Sequence, residues 1–315
     1  MANFAKGGAL PAMIRLSLAT AVSALSACGM GQAPPVASAT AQVGQGPAVW
    51  TLADDDTTIH LFGFTQVMRP GQKWRSEKLT ALIADANLIV MENDPTDEQA
   101  QMEAQQLLPQ IGLNRDGRSL SSMLSSDQAD ALKVVAADLG LPMQAIDSMR
   151  PWLASIQLGA VAIGRRNYDL QNNMPAQIAA IATASGKPIL ALERPADLMR
   201  LVSALPEETQ LAMLNLTVRD IAENRDREDP VNAAWLAGDI AQIGQLLHGE
   251  DGAWSDRDVY EVMLVQRNQQ WASTIKQLIS EKKGTIFLAV GLGHLAGPDS
   301  LQSILSKAGF DVRRR

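Results

Sequence analysis

The sequence predicts an α/β domain with a central, largely parallel or mixed β-sheet flanked by helices. Three observations carry this. Continuous apolar runs of strand length occur at Leu88–Met91, Pro188–Leu192 and Thr285–Val290, the pattern of strands covered on both faces. Amphipathic helical spacing lies between them. The two ends of the domain also share an order: strand, glycine-led loop, amphipathic helix, strand. Such β-loop-α-β units favour parallel pairing with a right-handed crossover.

The elements follow in order. Positive Lys6 and Arg15 precede the apolar stretch Leu16–Leu25, which is too short to span a bilayer needing about 20 residues and fits an export signal. It ends in Leu25-Ser26-Ala27-Cys28, which resembles the lipobox of bacterial lipoproteins. Cys28 is the single cysteine, and a lone thiol in an exported chain cannot close an internal disulfide. Residues 1–27 are read as a lipoprotein signal and Cys28 as its lipidation site. Gly29 in place of Asp directs the anchor to the outer membrane. An ordinary secretory signal cut near Ala39 or Ala41, with Cys28 incidental, is the competing reading. Residues 28–47 are rich in Gly, Ala, Pro, Ser and Gln and read as a flexible tether. Residues 48–315 form the domain.

The formal charge is −7, from 27 basic and 34 acidic residues. Removing Lys6 and Arg15 with the signal leaves 25 against 34, or −9. That balance argues against nucleic acid as a partner and against electrostatic binding to anionic lipid.

Val49–Ala53 and Thr57–Phe62 flank Asp54-Asp55-Asp56 and read as a hairpin; the aspartates lack EF-hand spacing and read as a solvated turn. Ser76 caps a helix carrying Leu79, Leu82, Ile83 and Ala86 on one face. Strand Leu88–Met91 ends in Glu92-Asn93-Asp94, with Asp94 a turn residue. Residues 95–180 read as a long helical insertion, broken at Gly140-Leu-Pro142 and Arg150-Pro151. Pro188–Leu192 is read as a second buried strand ending in Glu193. Helices follow over 206–225, 235–247 and 256–280. The chain closes with strand Thr285–Val290, loop Gly291–His294, a helix from about Asp299, a left-handed cap at Gly309 and strand Phe310–Arg313.

Ligand sites in parallel sheets form beyond strand carboxyl ends. Gln66, Glu92, Glu193 and His294 all lie just past such ends and are expected to converge. His294 is the leading candidate for chemistry, because imidazole is the commonest metal ligand and general base. Glycines 291, 293 and 297 are expected to leave room for a ligand beside it. Glu92 is either a solvated strand end or a ligand and base opposite the histidine. Glu193 carries the same two readings. Arg267 lies on the apolar stripe of its helix. It either snorkels at the edge or is buried against a carboxylate or a ligand anion, with Asn268 beside it. No Walker loop, Gly-x-Ser-x-Gly elbow, His-Glu-x-x-His or cysteine cluster occurs, and Gly291-Leu-Gly293 is not a dinucleotide fingerprint.

These residues carry a resemblance. Ala48-Val-Trp50, Leu61–Gln66, Ile89–Glu92, Gly186–Glu193, Trp235–Asp239, Arg267-Asn268 and Val290–Pro298 together resemble the TraB/GumN family, related to the Tiki proteins and more remotely to ChaN-like and erythromycin-esterase-like proteins. The family carries two Gly-x-x-His motifs taken to contribute to a divalent metal site. Here the second is intact, Gly291 to His294, and the first ends in glutamine, Gly63-Phe-Thr-Gln66. The resemblance implies a metal-dependent hydrolase of the Tiki metalloprotease type. His294, Glu92 and Gln66 would hold a divalent metal (Mn, Co or Zn), with Glu92, Glu193, Arg267 and Asn268 in catalysis and Arg267 stabilising an oxyanion. A glutamine oxygen is a harder, weaker ligand than imidazole, so affinity for such metals should fall. The implied substrates are peptides or glycans of the bacterial envelope, reached from a lipid anchor facing the periplasm. The alternative is a catalytically silent envelope lipoprotein binding a peptide, glycan or haem in the same cleft. The aromatic-poor composition lends haem no support.

Overall fold

A computed structural model describes residues 46–170, 173–249, 252 and 254–315. The expected signal peptide, Cys28 and the expected tether as far as residue 45 lie outside the described residues.

Six strands form one mixed sheet: β1 (Val49–Ala53), β2 (Thr57–Phe64), β3 (Leu88–Met91), β4 (Ile189–Ala191), β5 (Gly284–Gly291) and β6 (Arg313–Arg314). Their order is β4-β3-β5-β2-β1-β6. Strands β4, β3, β5 and β2 are mutually parallel. The β1–β2 hairpin is antiparallel, and β6 adds antiparallel to β1. The hairpin turn forms because Asp54 Oδ1 accepts from the backbone N–H of Thr57 at 2.8 Å and of Asp56 at 3.2 Å. The acidic triplet is a turn.

Thirteen α-helices are described: α1 (Glu77–Asp85), α2 (Glu98–Ile111), α3 (Ser126–Asp138), α4 (Met143–Asp147), α5 (Pro151–Arg165), α6 (Met174–Ala184), α7 (Pro195–Ser203), α8 (Glu207–Ala222), α9 (Glu228–Ala237), α10 (Ile240–His248), α11 (Arg257–Tyr260), α12 (Gln266–Glu281) and α13 (Leu301–Lys307). Ser76 caps α1 as expected, its side chain accepting from Leu79 N.

The period-2 alternation of the central strands explains why both faces need covering. Phe62, Phe64, Phe287 and Met91 face one layer, built from α1, α6, α9 and α10. Ile59, Leu61, Val90 and Leu288 face the other, where Trp271 and Ile275 of α12 meet Leu301 and Leu305 of α13. A third core, centred on α5 and α8, joins the helical insertion to the helices that follow β4.

Three expectations change. Strand β4 is not buried: it lies at the sheet edge, and Leu190 is 36% exposed. The span 235–247 is not one helix. Gly238 takes a left-handed φ of 69°, ending α9, and the Asp239 side chain caps α10. The two end units are also not equivalent in the sheet. From β2, α1 leads to β3 on the far side of β5, whereas α13 leads from β5 to a two-residue β6 beside β1, later than the expected Phe310–Arg313.

Candidate functional site

Parallel pairing of β2, β5, β3 and β4 places their carboxyl ends on one edge. Gln66, His294, Glu92 and Glu193 all emerge there, each one to three residues past its strand. Arg267 and Asn268, from the first turn of α12, close the edge from the side.

Arg267 is the centre of this arrangement. Its guanidinium makes a two-pronged contact with Glu193: Nε donates to Oε2 at 3.0 Å and one terminal nitrogen to Oε1 at 2.6 Å. The other terminal nitrogen donates to the Met263 carbonyl at 2.7 Å and to His294 Nε2 at 3.2 Å. Its plane lies over Trp271, 4.6 Å from the ring centroid, and Trp271 in turn meets the His294 ring at 4.4 Å. The side chains of Arg267 and Glu193 are 5% and 9% exposed. The stripe arginine is therefore buried against a carboxylate rather than snorkelling. Met263 lies in a π-helical turn, Glu261–Val265, that joins α11 to α12. Such turns recur at functional sites, but nothing in the apolar stripe announced this one.

His294 is fixed by Asn268. The Asn268 amide nitrogen donates to the carbonyls of Asp299 at 2.8 Å and His294 at 3.3 Å, which turns its oxygen toward His294 Nδ1 at 2.6 Å. An amide oxygen only accepts, so Nδ1 carries the proton and Nε2 is the bare acceptor facing Arg267. Burial holds the imidazole pKa well below its ordinary value, and the Arg267 charge adds to this. His294 is neutral and a weak base.

Glu92 contrasts with it. Its Oε1 accepts from Gly291 N–H at 2.6 Å and lies 3.6 Å from His294 Nε2, and its Oε2 is 3.8 Å from Arg267. Burial pushes its pKa up, only partly opposed by Arg267. Glu92 is the readier proton acceptor of the pair. Gln66 is half-buried, and its Oε1 has no hydrogen-bond partner among the described residues. Asp94 is a turn residue, accepting from Thr96 N at 2.8 Å. His60 stays within β2 beside Thr51, 2.9 Å from its hydroxyl.

The glycines of the His294 loop serve internal packing rather than a ligand. A side chain at Gly293 would meet Trp254 at 3.1 Å, and Gly297, with φ +82°, lies against the His248 ring. At Gly291 it would come within 3.0 Å of Glu92 Oε1. Gly63 lets the two motif loops abut, because a Cβ there would lie 3.1 Å from the Leu292 backbone. Gly63→Ala is expected to cost about 1–3 kcal/mol as overpacking, measured by urea unfolding. A change within error would mean that the loops have slack.

The donor set does not fit a divalent metal. His294 has one free lone pair, and Arg267 donates into it. Both Glu193 oxygens are engaged by the same guanidinium. Among the described residues, no group of three or more His, Cys, Asp or Glu side chains is arranged to hold a metal.

All three histidines have depressed pKa values, burial being the largest cause for each. The unfolded chain takes up protons as pH falls through about 6.5, and the folded chain resists them. The histidines' contribution to stability is therefore full above that pH and falls below it, by at most about 1.4 kcal/mol per pH unit for each histidine. His294→Gln is expected to flatten the slope between about pH 5 and 6.5, seen in urea midpoints across pH. Unchanged slopes would contradict the burial of a neutral His294.

A six-stranded α/β domain with an arginine-centred polar cluster at the carboxyl edge of its parallel strands defines the class of this protein. Residues 48–314 match the TraB/PrgY/gumN family, and the chain belongs to that family. It is also 24% identical over 195 residues to an uncharacterized protein of Treponema pallidum (strain Nichols). The match covers 58% of this chain and 58% of the relative's length. No solved structure matches the chain. No helix among the described residues is long and apolar enough to cross a membrane.

Proposed function

We propose that the protein is a hydrolase in which Glu92 is the general base and Arg267 the fixed cation, held at the bacterial envelope through a lipid on Cys28. The position of Glu92 carries the reading: a buried carboxylate with a raised pKa, 3.6 Å from a neutral imidazole and 3.8 Å from a guanidinium. Arg267 has five N–H groups, and four are used internally. The fifth makes no hydrogen bond among the described residues; Glu92 Oε2 lies 3.8 Å from its nitrogen, beyond hydrogen-bond range. A substrate carbonyl oxygen accepting it would be polarised as negative charge develops there. Glu92 would take the proton of the attacking water as the new C–O bond forms and return it to the departing amine or alcohol as the scissile bond breaks. Glu193, Asn268 and His294 position the guanidinium, and the Gln66 amide oxygen, without a hydrogen-bond partner among the described residues, is available to orient substrate. Envelope peptides, and the acyl groups carried by envelope glycans, are the carbonyl substrates this location offers.

The test is turnover by the full chain, in detergent after exhaustive chelation, on peptide, acyl-ester and glycoside libraries. Turnover that survives chelation and is lost in Glu92→Gln supports the reading. The engagement of the one free His294 lone pair and of four of the five Arg267 N–H groups within the protein favours one other reading, a ligand-binding site without turnover. Silence of the wild type on all three libraries, with saturable binding of one class, would establish it instead. Palmitate incorporation, compared with Cys28→Ser, tests the anchor; an unlabelled wild type in a lipoprotein-processing host removes it.

A further inference from the structure

We infer that the Arg267 guanidinium occupies the place of a divalent metal in this cleft, so that the centre is built around an organic cation and takes no metal while Arg267 is present. The neighbours of the guanidinium make the case. They are two carboxylates, Glu193 at 2.6 and 3.0 Å and Glu92 at 3.8 Å, the bare imidazole nitrogen of His294 at 3.2 Å and the Met263 carbonyl at 2.7 Å. Carboxylate, imidazole and carbonyl are the donor types that bind hard and borderline divalent ions. Asn268, holding Nδ1–H of His294, is the kind of outer partner that fixes a ligating histidine with Nε2 free. What differs is the occupant. A metal close enough to bond Nε2 would have to displace the Arg267 N–H now in that direction. It would also add two positive charges beside one that cannot be shed, in a pocket where both side chains are about one-tenth exposed or less.

Gln66 agrees with this. An amide at the end of the first motif makes no demand for a metal: its nitrogen lies beside Gly291 with Glu92 and His294, and its oxygen has no hydrogen-bond partner among the described residues. With both carboxylates ionised, two negative charges face the single positive charge of the guanidinium. A divalent ion entering beside the retained guanidinium would turn that one-charge excess of negative into a one-charge excess of positive, in a place where little solvent is available to screen it.

The inference concerns the cleft of the proposed function, but its test reads metal binding and not turnover. Full-length protein in detergent, stripped with chelator, is titrated with Mn²⁺, Co²⁺ and Zn²⁺ by calorimetry and by thermal melting. The wild type is expected to show no saturable heat and no rise in Tm that depends on Glu92 or His294. Arg267→Ala removes the occupant and is expected to gain a saturable, concentration-dependent rise in Tm, as a ligand selective for the folded state produces. That gain should disappear in Arg267→Ala combined with His294→Ala. Wild-type binding that is lost in His294→Ala or Glu92→Gln overturns the inference. A folded Arg267→Ala that gains nothing overturns the claim that the guanidinium holds a metal's place. If Arg267→Ala does not fold, the wild-type titration with His294→Ala as control decides it alone. Failure here leaves the hydrolase reading standing, because turnover after chelation is measured separately.

Discussion

Arg267→Met is expected to be the most destabilising single substitution in the cleft, costing about 3–5 kcal/mol. The side chain is 5% exposed and its main partner, Glu193, 9%, so solvent screening offers little relief. Methionine fills a similar volume, which limits the cavity contribution. The loss comes from what is stranded: a buried carboxylate, the His294 lone pair and the Met263 carbonyl. An uncompensated buried charge costs more than an absent pair. Arg267→Met combined with Glu193→Gln should therefore recover part of the loss, giving a coupling energy of at least about 1–3 kcal/mol in a double-mutant cycle. Urea unfolding of the four proteins provides the measurement. A single-mutant loss below about 1 kcal/mol would place the pair among solvent-screened bridges and remove the arginine-centred description.

The same residue shows how far the sequence could be read. The stripe Tyr260, Met263, Leu264, Trp271, Ile275 identified Arg267 as a charge on an apolar face and required a partner for it. Which of two acids served could not be read, because Glu92 and Glu193 both end apolar strand-like runs. Adjacency in the sheet decides that. Edge strand β4 hydrogen-bonds to β3, and Glu193 N donates to Glu92 O at 2.8 Å, so the two acids stand side by side. Strand order is a non-local property, and the run Pro188–Leu192 looks the same whether its strand is central or at an edge. Local chemistry was legible where it acts alone: Ser76 as a cap, the Asp54 turn and Gly309, with φ +95°, ending the last helix. Gly293 and Gly297 misled for the opposite reason. The aromatic rings that need their missing side chains, Trp254 and His248, come from a segment about 40 to 50 residues away.

Glu92→Gln separates function from stability in the opposite direction to Arg267→Met. On the proposed mechanism it removes the base and should lower turnover about 10²–10⁴-fold. The glutamine oxygen can still accept from Gly291 N–H, so the loop stays attached to the strand end. Stability should hold or rise at neutral pH, because burial penalises the ionised carboxylate. The sign follows from linkage. The folded pKa of Glu92 is raised, so between the unfolded and folded values the folded state binds the extra proton. Stability falls as pH rises across that window, and Glu92→Gln should abolish this fall. Turnover in the wild type should rise with pH through the same folded pKa, above the usual carboxylate range. His294, held well below its ordinary value, should add no limb near pH 6.5. Stability and activity would then respond oppositely to one proton. A rate profile with its base limb near pH 6.5, lost in His294→Gln, would instead move the base to the histidine. It would also require Arg267 to release Nε2 during turnover. That makes the rate profile the sharpest discriminator between a carboxylate-centred and an imidazole-centred cleft.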